Sequence, residues 1–346
     1  MGVNSEILIK IPKEGKHCTG KSLEGIVKYH LDKETTYRKI SLSLVGKAYC
    51  SWKQYDHGHR PLNARYRQQV KVGGFYKCEG HETIVVMKID LLNKNIDENV
   101  TLNAGSYEQP FEMEIPENIP PTVKTDIGEI KYNLVLKFKK PSLFSMSKMF
   151  KTRLEIYPSV DPSIPDEPVM FALDKTLTKL FSSKKNEINL KAELDKAYLT
   201  PYSERKISFT VTNNSDVIIA VKTELISKTK YKDDYSFEKT VEEVIDYCTV
   251  ETPSIPDNSI ANMFNIIPVP MEQHTIRHSK IMSREYKLKV TLKLPLPHIN
   301  ESIKVPVFVG EKFNEVTDEA VGGESSEARG EPPPYWEVMA EDKCKD

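Results

Sequence analysis

A short run near the C-terminus, Pro332-Pro333-Pro334-Tyr335, has the residue types and spacing of a recognition motif. Consecutive prolines favour the polyproline II helix, which repeats every three residues and has no internal hydrogen bonds. Two prolines can therefore fill an aromatic-lined groove while the tyrosine, one turn later, enters a second pocket. WW domains bind ligands of this kind, so the sequence predicts a WW-domain-binding motif formed by Pro332, Pro333 and Tyr335.

The residues before this motif favour its accessibility. The segment from Thr317 to Gly330 is rich in Gly, Glu and Ser, and such a composition cannot bury a core. We therefore expect a disordered tail from which a short ligand can reach a partner. An accidental match in a proline-rich tail is the alternative, and this setting makes it the weaker one.

A second sequence pattern is typical of phosphate binding. Residues 15–22, from Gly15 to Ser22, read G-x-x-x-x-G-K-S. This loop cradles phosphate in nucleotide-binding proteins when a strand precedes it and a helix follows it. Residues 7–11 are a candidate strand, but Gly25 and the β-branched residues after it oppose a helix. We expect a turn between two strands, with nucleotide binding as the less favoured alternative.

Two groups of basic residues have the charge to bind anions. Lys139, Lys140 and Lys148 are interleaved with phenylalanines in one group, and Arg65 and Arg67 belong to the other. Such side chains pair with phosphate groups, so either group could contact acidic lipid headgroups or a phosphorylated protein tail. A solvated strand face or loop is the more common role of charges like these.

The sequence has no pattern typical of catalysis or of a metal site. The histidines near position 58 and the pair Cys78 and His81 lack a second pair at zinc spacing, and G-x-S-x-G is missing. The five cysteines are widely spread, as expected for reduced thiols. We expect no enzymatic activity, no cofactor, no metal and no small-molecule substrate.

Charge and hydropathy narrow the class of protein further. The 346 residues include 49 basic and 50 acidic side chains with interspersed signs, which argues against a nucleic-acid-binding protein. The longest apolar run, residues 217–221, is far shorter than the ~20 residues of a membrane helix. Polar residues interrupt any signal peptide at the N-terminus. We therefore expect a soluble cytosolic protein.

Alternating hydrophobicity predicts strands in both halves of the chain. The predicted strands are residues 7–11, 23–31, 40–44, 111–115, 132–138, 188–194, 206–212, 217–225, 286–292 and 303–309. A hairpin is predicted between residues 70–72 and 84–87, around a glycine pair and a polar turn. One short helix is predicted, over residues 171–181.

A proline-rich stretch separates the strands into two blocks. Residues 157–168 contain four prolines, which can neither continue a helix nor lie inside a sheet. Many short strands in two successive blocks predict an all-β fold of two antiparallel, immunoglobulin-like β-sandwiches. The predicted organisation is a first sandwich at 1–157, a connector at 158–170, a second sandwich at 171–313 and a disordered tail at 314–346.

One region combines several short motifs. A Gly and a Pro-Phe pair precede an alternating strand, prolines follow, and G-x-I-x-Y comes next, at residues 104–121 and 128–132. Further motifs lie at residues 20–27 in the first half and at 194–201 and 213–215 in the second half. Together these stretches resemble the α-arrestins, also called arrestin-domain-containing proteins, in which each domain carries a similar strand pair. The resemblance covers residues 7–312. The Pro-Pro-x-Tyr motif follows in the tail, where family members also carry such a motif.

The resemblance implies an adaptor. An α-arrestin engages a membrane receptor or transporter as cargo and recruits a WW-domain HECT-class ubiquitin ligase through its tail, so that the cargo is ubiquitinated and sorted in endosomes. It also implies a cytoplasmic protein with peripheral association to the plasma membrane and endosomes. A trafficking scaffold of the retromer-subunit kind, which has the same fold and works without a ligase, is the alternative.

Two departures from the family pattern stand out. The Pro-Gly that precedes a second-domain strand in the family is replaced by Pro201-Tyr202. Many relatives carry two Pro-Pro-x-Tyr motifs, whereas this chain has one. A single motif is expected to bind a ligase with several WW domains more weakly, because linked contacts raise avidity.

Overall fold

The computed structural model describes residues 2–13, 15–55, 75–92, 99–142, 146–177 and 186–312, and these ranges contain strands and turns but no helix. The strands of the first half are β1 (Val3–Ile9), β2 (His17–Cys18), β3 (Ser22–Leu31), β4 (Thr35–Tyr37), β5 (Lys39–Tyr55), β6 (Phe75–Asp90), β7 (Val100–Leu102), β8 (Gly105–Glu114), β9 (Val123–Lys124), β10 (Gly128–Lys139), β11 (Lys148–Leu154) and β12 (Ile156–Tyr157). The strands of the second half are β13 (Val169–Leu177), β14 (Asn186–Leu194), β15 (Tyr198–Leu199), β16 (Ser203–Asn214), β17 (Ala220–Lys232), β18 (Glu238–Glu251), β19 (Ser259–Val269), β20 (Met282–Lys293) and β21 (Glu301–Val309).

The first sandwich combines a three-stranded sheet, in the order β1-β3-β8, with a larger sheet in the order β11-β10-β5-β6. Both sheets contribute to one core, which includes Leu23 and Val27 of β3 and Leu134 of β10. Alternate residues of β10 are buried, as the period of two in its sequence predicts. Leu134 lies directly opposite Leu44 of β5, which sets the register of the central strand pair.

The second sandwich repeats the arrangement with a separate core. Its sheets have the orders β13-β14-β16-β19 and β15-β21-β20-β17-β18. Both sheets contribute to this core, which includes Leu190 of β14, Phe209 of β16 and Leu288 of β20. In the second sandwich the strand pairs are antiparallel, except for the short parallel pair β15–β21. In the first half the short pair β2–β12 is also parallel. The prediction of an all-β fold with two antiparallel sandwiches is confirmed.

Two local predictions were wrong. Residues 171–177 belong to strand β13 rather than to a helix, because this segment pairs with β14 along its whole length; the remainder of the predicted helix lies outside the described residues. Residues 84–87 belong to the long strand β6, which begins at Phe75 and pairs with β5. The polar turn predicted before residue 84 is therefore strand, and residues 70–72 lie outside the described residues.

A joint connects the two sandwiches where the turn between β17 and β18 contacts strands β5 and β6. The amide of Asp234 donates to the carbonyl of Glu79 at 3.0 Å, and its carboxylate accepts from the amide of His81 at 2.9 Å. The Cys50 thiol lies 3.4 Å from the carbonyl of Lys232. Side chains of the second half also complete the first core, since Tyr231 and Met282 are buried in it. The two sandwiches therefore share packing as well as hydrogen bonds.

A second contact between the sandwiches lies beside the proline-rich connector. Lys16 forms an ion pair of 2.5 Å with Glu311, which is largely buried. Nearby, the ring of His274 meets that of Tyr157 edge to face, with 5.4 Å between centroids. Burial, with the charges of Lys16 and Arg284, lowers the pKa of His274 to about 4. This imidazole is therefore neutral in the folded protein near neutral pH.

Folding stability is expected to decrease below pH 6.5 because of His274. An unfolded histidine titrates near pH 6.5, so between that pH and about 4 the unfolded chain binds more protons than the folded one. The free energy of unfolding decreases by about 1.4 kcal/mol per pH unit in this range and by roughly 3 kcal/mol in total at pH 4. Urea unfolding at several pH values should show this slope in the wild type and a weaker one in His274→Gln. Equal slopes of stability against pH in the two proteins would show that His274 does not cause the decrease.

Candidate functional site

The described residues contain part of the predicted site. Lys139, Lys140 and Lys148 are described, whereas the basic pair Arg65 and Arg67 lies outside the described residues. The Pro-Pro-x-Tyr motif at 332–335 also lies outside them. What the structure locates is therefore one basic region of the first sandwich, at the end of the β10–β11 hairpin.

The hairpin places these lysines by its register. Lys139 is the last residue of β10, and Lys148, the first residue of β11, lies opposite the buried Phe138. On the other side of β10, Lys139 lies directly opposite Lys39 of β5. Like charges in directly opposed positions destabilise a sheet, and the carboxylate of Asp90, 3.2 Å from the Lys39 ammonium, offsets part of that cost.

A pocket of about 210 Å³ opens beside the hairpin. Its lining includes three lysines, Lys33, Lys140 and Lys148, together with the rings of Tyr37 and Phe138. The two rings are buried and lie 5.5 Å apart between centroids, so they form a rigid apolar wall. The three lysines give the lining a positive charge, and the Lys148 ammonium also donates to the backbone carbonyl of Val3.

Neighbouring strands extend the positive charge across the sheet. Burial lowers the pKa of Lys88 on β6, and the ammonium groups of Lys39, Lys137 and Lys139 lower it further, although Asp90 opposes them. An ammonium group whose pKa falls beside like charges lies in a region of positive potential. This outer face of the sheet therefore has a positive potential.

The structure brings together only some of the predicted lysines and adds one. Lys140 and Lys148 line the same pocket, whereas Lys139, next to the inward-facing Phe138, lies on the outer face of the sheet with Lys39. Sequence reasoning missed Lys33, which belongs to the turn between β3 and β4. No local signal identifies this residue, because more than a hundred positions separate it from Lys148 along the chain.

Comparisons with known proteins place both sandwiches in one family. The N-terminal domain model of arrestin, also called S-antigen, matches residues 9–163, and the C-terminal domain model matches residues 184–312. The chain belongs to the arrestin-domain family. The chain is similar to Arrestin domain-containing protein 5 from Bos taurus, with 22% identity over 334 residues, which cover 89% of this chain and 92% of the bovine protein.

The phosphate-loop pattern of this arrestin-domain protein does not form a phosphate site. Residues 15–22 contain the short strand β2 and a turn, and Ser22 begins strand β3 instead of a helix. The amides of Thr19 and Gly20 already donate to the carbonyls of Tyr157 and Ile115, at 3.1 Å and 2.9 Å. Those amides are not available to a nucleotide, and a strand instead of a helix follows the loop, which argues against the nucleotide-binding alternative.

The described ranges contain no group of three or more His, Cys, Asp or Glu side chains arranged to hold a metal ion. They also contain no helix long and apolar enough to cross a bilayer. Cys50 and Cys78 are buried as free thiols, and burial raises their pKa values to about 11 and about 12. Such thiols are poor nucleophiles at neutral pH.

Proposed function

We propose that this arrestin-domain protein is an adaptor that links a membrane cargo to a WW-domain HECT-class ubiquitin ligase. Pro332, Pro333 and Tyr335 recruit the ligase, and the arrestin-like body engages a receptor or transporter. The observation that carries the proposal is the conjunction of two arrestin domains with a Pro-Pro-x-Tyr motif after them in one chain. The cargo is then ubiquitinated and sorted through endocytosis and endosomes.

Tethering is the proposed mechanism, and the ligase supplies the chemistry. When one chain binds both partners, the second encounter becomes intramolecular and its effective concentration rises. Ubiquitin transfer to cargo lysines then accelerates without any catalytic residue in the adaptor. We propose a cytoplasmic location with peripheral association to the plasma membrane and endosomes, and the division into segments 1–157, 158–170, 171–313 and 314–346.

The basic region of the first sandwich is the proposed contact with the cargo or with its membrane. The pocket with Lys140 and Lys148 suits a phosphate group, and Lys139 adds positive charge on the outer face of the same sheet. Arg65 and Arg67 are proposed to contribute to the same kind of contact. Acidic lipid headgroups and a phosphorylated cargo tail are the two ligands that this charge supports.

Reversing the charge of this region is expected to weaken anion binding at least about tenfold, because each lysine contributes attraction near the surface. The variant combines Lys139→Glu, Lys140→Glu and Lys148→Glu. Binding is measured by flotation with phosphatidylserine vesicles and by titration with a phosphorylated peptide. The matched control reverses three exposed lysines elsewhere in the sheets, Lys47, Lys53 and Lys191. Equal binding by variant and control would remove the basic region from the proposal.

Truncation after Lys312 tests the adaptor function itself. The truncated chain keeps the compact unit formed by residues 1–312 and loses the Pro-Pro-x-Tyr motif. We expect it to lose ligase recruitment and ligase-dependent turnover of membrane proteins in cells. Full turnover with the truncated chain would instead favour the scaffold of the retromer-subunit kind, which works without a ligase.

A further inference from the structure

Strand β19 forms one edge of the four-stranded sheet of the second sandwich and presents an apolar outer row. Ile260, Phe264 and Ile266 are 71%, 53% and 43% exposed. The strand contains no charged side chain in its 11 residues, although 29% of the chain is charged. Soluble proteins normally protect an exposed edge with charges, since a flat apolar edge pairs readily with another strand. The opposite edge strand, β13, carries Asp174 and Lys175.

The backbone of β19 leaves its outer edge open. Successive residues of an antiparallel strand direct their N–H and C=O groups to opposite sides. The carbonyl of Val269 accepts the Tyr202 amide at 2.8 Å, which places it on the side of β16. The carbonyl of Pro268 accepts the Cys248 thiol of β18 at 3.0 Å, on the other side. The even-numbered residues therefore direct their backbone groups outward.

This open edge spans residues 260–266. Among the strands that the structure describes, β16 alone forms a ladder with β19, and β18 approaches β19 near Asn265 and Pro268. Pro268 has no N–H, and its carbonyl is engaged by Cys248, which closes the edge at that end. The open part presents a donor and an acceptor at every second residue, on the same residues whose side chains are exposed: Ile260, Asn262, Phe264 and Ile266.

We propose that β19 pairs with β19 of a second copy of this chain. An antiparallel pair about a two-fold axis beside Met263 places Ile260 opposite Ile266 of the second copy and Asn262 opposite its Phe264. Each of these even-numbered residues directs its backbone groups toward the partner strand, and their side chains lie on one face. The same patch serves both copies, as an interface with two-fold symmetry requires.

The absence of charge favours a second copy as the occupant of the edge. A charged strand that meets itself about a two-fold axis brings like charges close together, which destabilises the pair. Strand β19 avoids this penalty because none of its side chains is charged. One basic group, Lys206 of β16, lies over the ring of Phe264, with its ammonium 4.7 Å from the ring centroid.

The expected dimer is weak. A contact of seven residues is only about 24 Å long. A single strand pair of this length buries less surface than stable interfaces, which bury about 1,200–2,000 Å². We therefore expect a dissociation constant in the micromolar range or above. If the proposed function holds, each dimer presents two Pro-Pro-x-Tyr motifs to a ligase with several WW domains. Linked contacts would then compensate for the single motif of each chain.

Sedimentation equilibrium of the full chain, from about 1 µM to about 500 µM, tests the pairing. The mass should rise from 39.6 kDa toward twice that value. Phe264→Glu places a charge on the open edge of β19, beside Lys206. Asn262→Pro removes an outward N–H that β16 does not use and that the second copy would need. Both variants should remain monomeric. The control, Met170→Lys, alters an exposed residue of the opposite edge and lies opposite Glu193.

The results separate this inference from the adaptor function. A wild type that stays monomeric throughout, or variants that dimerise like the wild type, would overturn the pairing. An unrelated peptide bound by β19 of a monomeric wild type would also overturn it. Circular dichroism confirms that each variant folds, and either variant alone suffices as a test. Binding of a single WW domain should be unchanged in Phe264→Glu whatever the oligomeric state.

Discussion

Binding of an isolated WW domain is expected to decrease at least about 100-fold when Tyr335 is replaced by alanine, because buried aromatic side chains dominate small interfaces. The polyproline geometry of Pro332 and Pro333 persists in the variant, so the loss reports the tyrosine ring alone. Titration calorimetry of the full chain with a WW domain of a HECT-class ligase measures the effect. The fold is expected to be unchanged, since the substitution lies outside the compact unit formed by residues 1–312.

Trp336 provides the matched control for this prediction. It is a large aromatic residue directly after Tyr335 and outside the Pro-Pro-x-Tyr pattern. We expect Trp336→Ala to bind the WW domain within a few fold of the wild type, on the order of 1 kcal/mol or less. An unchanged affinity in Tyr335→Ala would refute the role of the motif, whatever the result for Trp336.

The Gly80→Ala variant is expected to lose about 3 kcal/mol of stability at the joint between the sandwiches. A methyl group at Gly80 would lie closer than 3.0 Å to the carbonyl of Lys232 and 2.8 Å from the Cys50 sulfur. The carbonyl belongs to the backbone of the other sandwich, so only a shift of the two sandwiches relieves the overlap. Urea unfolding should show a lower midpoint, and limited proteolysis should cleave residues 158–168 faster.

Val86 on the same strand provides the control for the joint. Its side chain is 63% exposed, so Val86→Ala alters β6 without touching the second sandwich. Surface substitutions of this kind change stability by about 0.5 kcal/mol or less. If Gly80→Ala unfolds at the same urea concentration as Val86→Ala, the joint does not have the close packing described above.

The sequence predicts those strands that have one buried face. In β10 the buried residues alternate, and a period of two is a local property that the sequence shows directly. Residues 171–177 gave the wrong element because their intrinsic preference is weak and the pairing with β14 decides their conformation. Strands β18 and β19 were not predicted at all, since their exposed residues obscure the alternation.

Contacts between distant residues are the part that the sequence does not show. His81 and Asp234 are 153 positions apart, yet they form a central hydrogen bond of the joint. Lys33 joins Lys148 in one pocket for the same reason, because the turn after β3 folds back onto β11. The basic character of the site was predicted from composition, whereas its geometry depends on how the sheets pack. The WW-binding motif stays a prediction from sequence alone.

The central claim is that one chain contacts a membrane cargo and a ligase through separate parts. Proximity labelling in cells, with a labelling enzyme fused to the full chain, measures both contacts at once. We predict that the wild type labels membrane proteins and a HECT-class ligase, whereas Tyr335→Ala labels the same membrane proteins and loses the ligase. Equal labelling of the ligase by both chains, or no labelling of membrane proteins by either, would contradict the account.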